Sequence, residues 1–295
     1  MIYGGIEAGG TKFICAIGNE DGEIIEQIQI PTTSPKETMQ EVISFFRQFT
    51  LGAIGIGSFG PCDINPKSDT YGCITSTPKK LWRDYSILGA LKGEFEVPII
   101  FNTDVNVAAL AETKLGAAKG LDSCLYITVG TGIGAGAVVN GQLLQGLSHP
   151  EMGHIIVRRH PDDVYEGKCP YHGDCLEGLA AGPAIGDRWG KEASQLASRL
   201  DVWELQAFYI AQALMHYILI LSPKKIILGG GVMKQKQVFS LIYNKLSELL
   251  NSYIDLPELS TYPHKYIVSP GLGDRAGIIG ALILAQQGYH KKIHS

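Results

Sequence analysis

Short apolar runs separated by glycine-rich breaks dominate the first thirty residues. Ile2 to Glu7 reads as a strand, Gly9-Gly10 reverses the chain, and Thr11 to Ile17 resumes a β-rich run. Asn19-Glu20-Asp21-Gly22 is a hairpin turn signal and Glu23 to Ile30 a third strand, so the chain opens with an antiparallel meander. A helix is expected from Pro35 to Phe49, capped by Ser34, because Met39, Val42, Phe45, Phe46 and Phe49 recur at helical spacing. Leu51 to Gly57 is apolar throughout, as a buried parallel strand is, and ends at Ser58-Phe59-Gly60-Pro61. Pro98 to Phe101 is a further strand, followed by Asn102-Thr103-Asp104 and a helix from about Val105 to Leu115.

The opening pattern then returns. Leu125 to Gly130 is a strand, Thr131-Gly132-Ile133-Gly134 a glycine turn bearing a hydroxyl, and Ala135 to Val139 a strand closed by Asn140-Gly141. Two such units imply a duplicated α/β architecture with one hairpin from each half facing a shared cleft. Val202 to Leu221 is apolar nearly all round, as a helix buried between layers is. Lys224 to Leu228 delivers Gly229-Gly230-Gly231, with a helix from about Lys234, and Gly271-Leu272-Gly273-Asp274 precedes a closing helix from Arg275 to about Gln287.

Composition narrows the function classes. The 295 residues, 45% hydrophobic and 18% charged, suffice for two domains of about 150 residues each. A net charge of −4 with no basic run argues against nucleic acid or an anionic membrane surface as the main partner. The N-terminus opens with a strand where a signal peptide would place a basic and then an apolar region, so a cytoplasmic protein is expected. Six cysteines in a chain of this length do not make a disulfide framework, and only Cys169 and Cys175 cluster.

Three features carry chemistry. Both glycine turns expose backbone amides that can cradle phosphate, the first with Thr11 and Lys12 after it. Asp104 stands where a strand's carboxyl end meets a helix N-terminus, which is where open α/β sheets place reactions, although a plain helix cap is the alternative. Cys169-Pro170-Tyr171-His172-Gly173-Asp174-Cys175 is a C-x-x-H-x-x-C triplet with zinc-ligand chemistry. The fourth ligand is His154 or His160; we favour His154, within the more ordered Pro150 to Ile155 segment. Four protein ligands would make this Zn²⁺ structural.

Gly-Ile-Glu-Ala-Gly-Gly-Thr-Lys at 5 to 12, Asn-Thr-Asp at 102 to 104, Val-Gly-Thr-Gly-Ile-Gly at 129 to 134, Glu-Met-Gly-His at 151 to 154 and Cys-Leu-Glu-Gly at 175 to 178 together resemble the ROK family of sugar kinases and sugar-responsive repressors. Within it the chain is most similar to the bacterial fructokinases, through the form of its cysteine and histidine segment. The resemblance implies an actin-like, hexokinase-type α/β fold of two duplicated domains around a cleft. Residues 1–115 with about 276–295 would form one domain, and residues 116–275 the other. It implies transfer of phosphate from ATP, with Mg²⁺, to a hexose: fructose first, with glucose, mannose and N-acylhexosamines as alternatives.

Site roles follow from the same resemblance. Asp104 would be the catalytic base, and Asn102, Thr103, Glu151, His154 and Glu177 would meet the sugar. Gly9, Gly10, Thr11, Lys12, Thr131, Gly132, Gly134, Pro183, Gly229, Gly230, Gly231 and Lys234 would hold ATP. A homodimer is expected from the family. Its repressors carry a helix-turn-helix before the sugar fold, for which a hairpin beginning at Gly4 leaves no room. A sugar-binding protein without catalysis is the remaining alternative.

Overall fold

The computed structural model describes residues 1–20 and 22–293. Asp21, in the expected first hairpin turn, and His294 and Ser295, at the end of the expected C-terminal segment, lie outside the described residues.

The opening meander forms as β1 (Tyr3–Ala8), β2 (Lys12–Gly18) and β3 (Ile24–Pro31). After α1 (Pro35–Phe46), β4 (Ala53–Ser58) pairs in parallel with β1; after α2 (Ile87–Lys92), β5 (Ile99–Thr103) pairs in parallel with β4. The sheet order is β3-β2-β1-β4-β5. Then α3 (Asp104–Lys114) leads to a second sheet of β6 (Cys124–Val129), β7 (Ile133–Val139), β8 (Gln142–Leu143), β9 (Ile226–Gly229) and β10 (Ile267–Val268). Between β8 and β9 lie α4 (Leu176–Ala180), α5 (Gly182–Trp189) and α6 (Leu200–Leu221). Between β9 and β10 lie α7 (Gln237–Leu250), α8 (Pro257–Ser260) and α9 (Pro263–Tyr266), and α10 (Ala276–Ile293) closes the chain. The second sheet's order, β10-β9-β6-β7-β8, is the first sheet's order in reverse listing, with the same parallel and antiparallel senses. The expected repeat of a hairpin is therefore a repeat of a whole sheet.

Helices α3 and α10 form the layer between the sheets. Small residues on the facing strands let them approach: a Cβ on Gly55 would fall 2.0 Å from the Ala281 carbonyl oxygen, one on Gly57 2.3 Å from Val107, and one on Gly136 2.4 Å from the Val105 carbonyl oxygen. The other faces carry the large cores. Ile6, Phe13, Ile54 and Ile56 pack with Phe46, Leu88 and Trp82, while Leu125, Ile127 and Val129 pack with Leu179, Trp203 and Ile242. α6 has the length and apolar character of a membrane span, but Trp203, Ile210, Leu214 and Ile218 bury it in this second core.

Boundaries shift for identifiable reasons. The Ser34 cap and its Glu37 capping box form as expected, but α1 ends at Phe46, and Phe49 packs from the following turn. α7 starts at Gln237 because Val232–Lys234 makes a separate 3₁₀ turn after Gly230, whose φ is 90°. α10 runs past Gln287 through Gly288, where Ile100 packs so closely that a Cβ would lie 1.8 Å from it.

Candidate active site

The cleft floor is built from strand ends in register. Glu7 of β1 lies opposite Gly57 of β4, and Gly57 opposite Asn102 of β5. Thr103 is the N-cap of α3, its hydroxyl accepting from Asn106 N at 3.2 Å, so Asp104 becomes the first helical residue. Expected beside the sugar, Thr103 is instead 2% exposed and occupied with this cap. Asn102 Oδ1 accepts from Thr103 N and from Asn106 Nδ2 at 2.9 and 2.8 Å, which fixes its amide plane at the cleft floor.

Asp104 keeps a strip of surface toward the cleft, and its Oδ1 accepts from Val105 N at 2.8 Å. Enclosure on its other sides, with Glu151 adding repulsion, pushes its carboxyl up to about 7 despite that hydrogen bond. Glu7 is likewise pushed up to about 7, first by burial and then by the charge of Asp104, with Lys12 and the N–H of Ile278 opposing. Its Oε2 is buried and without a hydrogen-bond partner among the described residues. Glu151, raised by partial enclosure and then by Glu177, reaches from the second half toward Gly60 of the first. Four carboxylates thus line one seam, and each of three is raised by the next.

Beside Glu7 and Asp104 opens a cavity of 640 Å³ whose walls include Lys12, Thr128, Gly229, Gly230 and Lys234. Lys12, Gly229, Gly230 and Lys234 of the expected ATP residues therefore border it. Lys12 holds its amine 3.0 Å from Gln29 Oε1 across the β2 and β3 pair, at the rim. The two hairpins that carry Gly9, Gly10 and Thr11, and Thr131, Gly132 and Gly134, stand at the ends of β1 and β6. Pro183 sits in the first turn of α5, beside Gly182, whose N–H donates to the Gly130 carbonyl at 2.7 Å. Gly231 starts the 3₁₀ turn that ends at Lys234, and Lys234 pairs with Asp274 at 2.8 Å. A larger cavity of 830 Å³ lies away from every motif, between α5, α6 and α7, and its buried charges Arg188 and Asp163 are paired with each other at 3.0 Å.

In the second half the chain brings His154, Cys169, His172 and Cys175 together, with all ligand atoms within 4.8 Å of one another. His154 Nδ1 is 3.6 Å from Cys169 Sγ and 3.5 Å from Cys175 Sγ, and His172 Nδ1 is 3.7 Å from Cys169 Sγ. His160 is elsewhere, against Phe208, so His154 is the fourth member. Cys169 and Gly173 exchange backbone hydrogen bonds in a tight knuckle that Gly173 turns with φ 64°. Glu177 then ties this cluster to the second hairpin: Oε2 accepts from Ile133 N at 2.8 Å, and Oε1 is 3.9 Å from His154 Nε2.

Three site features escape the sequence reading. Glu7 was legible only as an acid before the glycine pair; its place against the N-terminus of α10, which begins some 270 positions later, is a tertiary fact. Lys79 lies over the first hairpin, its Cε 2.9 Å from where a Cβ on Gly10 would be, and its only sequence signal is a basic pair after Thr77-Pro78. Two hydrogen bonds cross the cleft mouth, from Gln145 Nε2 to Ile64 O at 3.1 Å and from Tyr171 Oη to Ser76 O at 3.2 Å.

The ROK family model matches residues 3–288. The chain belongs to the ROK family. A Bacillus subtilis (strain 168) protein, provisionally named a fructokinase, is 66% identical to it, over 97% of this chain and 96% of that protein. The fructokinase of Pediococcus pentosaceus is 47% identical, over 97% of this chain and 98% of its own. Among solved structures, the ROK hexokinase of Thermus thermophilus matches with a TM-score of 0.79 at 25% identity, covering 99% of this chain and all of that one. The twin sheets around α3 and α10 are thus the actin-like, hexokinase-type α/β fold that the motifs implied.

Proposed function

We propose that the protein transfers the γ-phosphoryl group of ATP to a hexose, D-fructose at its 6-hydroxyl before glucose, mannose or an N-acylhexosamine. The observation that carries this reading is Asp104, a carboxylate at the cleft floor raised to about 7, beside a cavity of nucleotide size. A base poised near the working pH takes a hydroxyl proton best. The fructokinase names of the relatives at 47% and 66% identity supply the sugar.

Phosphoryl transfer needs in-line positioning and charge stabilisation more than covalent help. Asp104 accepts the proton of the sugar hydroxyl, and the amides of the two hairpins meet the phosphates. Asn102, Glu151 and Glu177 orient the sugar, with His154 fixing Glu177. The orphaned Oε2 of Glu7, beside the raised Asp104, suits a divalent cation. Glu7 would hold the Mg²⁺ delivered with ATP, which would supply charge neutralisation, leaving Asp104 free for the proton. Pro183, Gly229, Gly230, Gly231 and Lys234 flank the nucleoside end.

The cysteine and histidine cluster suits structural zinc. Bonds of ~2.3 Å to sulfur and ~2.0 Å to nitrogen would place S and N about 3.5 Å apart across a tetrahedral angle, close to the 3.5 to 3.7 Å separations of these ligands. Residues 1–115 with 276–295 and residues 116–275 form the two lobes that close over the sugar. A soluble, cytoplasmic homodimer completes the reading.

The test is a coupled ATP assay across a hexose panel. Fructose should give the highest kcat/KM; a clear preference for another hexose would replace the substrate, and no transfer to any hexose would remove the function.

A further inference from the structure

The chain passes between the sheets twice, at residues 115–123 after α3 and at residues 269–275 before α10. One side chain holds both passages. Glu112, fully buried in the last turns of α3, accepts from Ala117 N at 2.6 Å in the first passage. It also accepts from Gly271 N at 3.0 Å and Leu272 N at 2.9 Å in the second. Three backbone donors on one buried carboxylate satisfy it without a cation, and the bonds to an ionised acceptor are of the stronger kind.

The glycines of the passages are shaped to this contact. A Cβ on Gly116 would fall 2.1 Å from Glu112 Oε2, and one on Gly271 2.6 Å from Ala117 N. Any larger residue at either position would push the passages apart. Both ends of the arrangement reach the active site. Asp104 starts the same helix, ~12 Å away at 1.5 Å per residue, and two residues beyond Leu272, Asp274 borders the nucleotide cavity and pairs with Lys234. Four residues further, Ile278 N donates to Glu7.

We infer that Glu112 is a positioning residue: it pins the two inter-sheet passages to each other, forming the fixed pivot about which the cleft closes and holding Asp104 in register with the nucleotide cavity. The geometry stands independently, while its catalytic consequence rests on the phosphoryl-transfer reading above. Closure that excludes water is what separates transfer to sugar from futile hydrolysis. A loosened pivot therefore damages the ratio of the two, beyond any loss of stability.

The experiment pairs kinetics with amide hydrogen exchange. In the wild-type protein, the amides of Ala117, Gly271 and Leu272 should be protected equally in the free state and with fructose plus a non-hydrolysable ATP analogue. Fast exchange in either state overturns the clamp, and this measurement needs no variant to fold. Glu112→Gln keeps the shape but turns an NH₂ toward at least one backbone donor. It should lower kcat for transfer by roughly 10- to 100-fold, the scale of ångström misplacement, and raise the ratio of sugar-independent ATP hydrolysis to transfer. Glu112→Asp, which keeps the acceptor charge, should recover part of both. A folded Glu112→Gln protein with unchanged kcat and unchanged ratio overturns the positioning role. If the wild-type protein phosphorylates no hexose, the functional reading falls, and exchange with the nucleotide analogue alone still decides the clamp.

Discussion

Glu177 Oε1 stands 3.9 Å from Nε2 of His154, on the side of the imidazole opposite the two cysteine sulfurs. The same glutamate's other oxygen holds Ile133 N of the second hairpin, so the cysteine and histidine cluster and that hairpin share one carboxylate.

Through this coupling, the proposed zinc would affect more than stability. Purified protein should contain about one zinc per chain. Cys175→Ser or chelation should lower Tm, by ~2–4 °C for each kcal/mol lost in a chain of this size, and should raise the KM for sugar more than that for ATP. Metal analysis with thermal scans and kinetics checks this; metal-free protein of unchanged Tm would sink it.

Replacement of Asp104 by Ala should cost about 10²- to 10⁴-fold in kcat and leave nucleotide affinity near its wild-type value. Calorimetric titration with an ATP analogue separates the two effects.

Asp104 and Glu7 are both raised to about 7, each chiefly by burial, and the charge of Asp104 adds to the shift of Glu7. With Asp104 as the proposed base, which acts in its ionised form, kcat/KM should fall as pH drops through about 7. Stability runs the other way. The folded state binds protons that the unfolded state has released above about 4, so the ligand-free protein should be most stable at the acid side of that window and lose stability as pH rises through 7. Thermal scans from pH 5 to 8, against Glu7→Gln with a weaker slope, check the sign.

Tyr171, between Cys169 and His172 of the cysteine and histidine cluster, donates across the cleft mouth to Ser76. Tyr171→Phe should raise the sugar KM by about two- to tenfold, the range of one net hydrogen bond, with Tm and metal content unchanged. Equal KM values in steady-state assays would show that the contact plays no part in closure.

Much of this was legible in the sequence because local pattern and tertiary role coincide. Strands β1, β2, β4, β6 and β7 announce themselves by apolar runs between glycines, and Asp104 by its place between a strand and a helix. The cluster of Cys169, His172 and Cys175 is a spacing motif. What stayed hidden depends on contacts distant in sequence. β10 is two residues long and has no pattern to read. Thr103 reads as a substrate residue, and only the structure shows its hydroxyl capping α3; Lys12 reads as a phosphate ligand, and only the structure shows its amine on Gln29 at the rim of the cavity. Glu112 reads as an ordinary polar helix residue, since its partners lie up to 160 positions away.

The packing of α10 on the first sheet sets the order in which the molecule can be completed. Gly5 and Gly55 are shaped to receive Leu282 and Ala281, and Tyr3 packs with Leu282 and Ala285. During synthesis, therefore, the first sheet lacks the cover of α10 around Gly5 and Gly55 until that helix has been made, whereas the second sheet already has α3, α6 and α7 beside it. The nascent first sheet is the stretch most exposed to misassociation, and loss of α10 would strand it there while sparing the second sheet and its cysteine and histidine cluster.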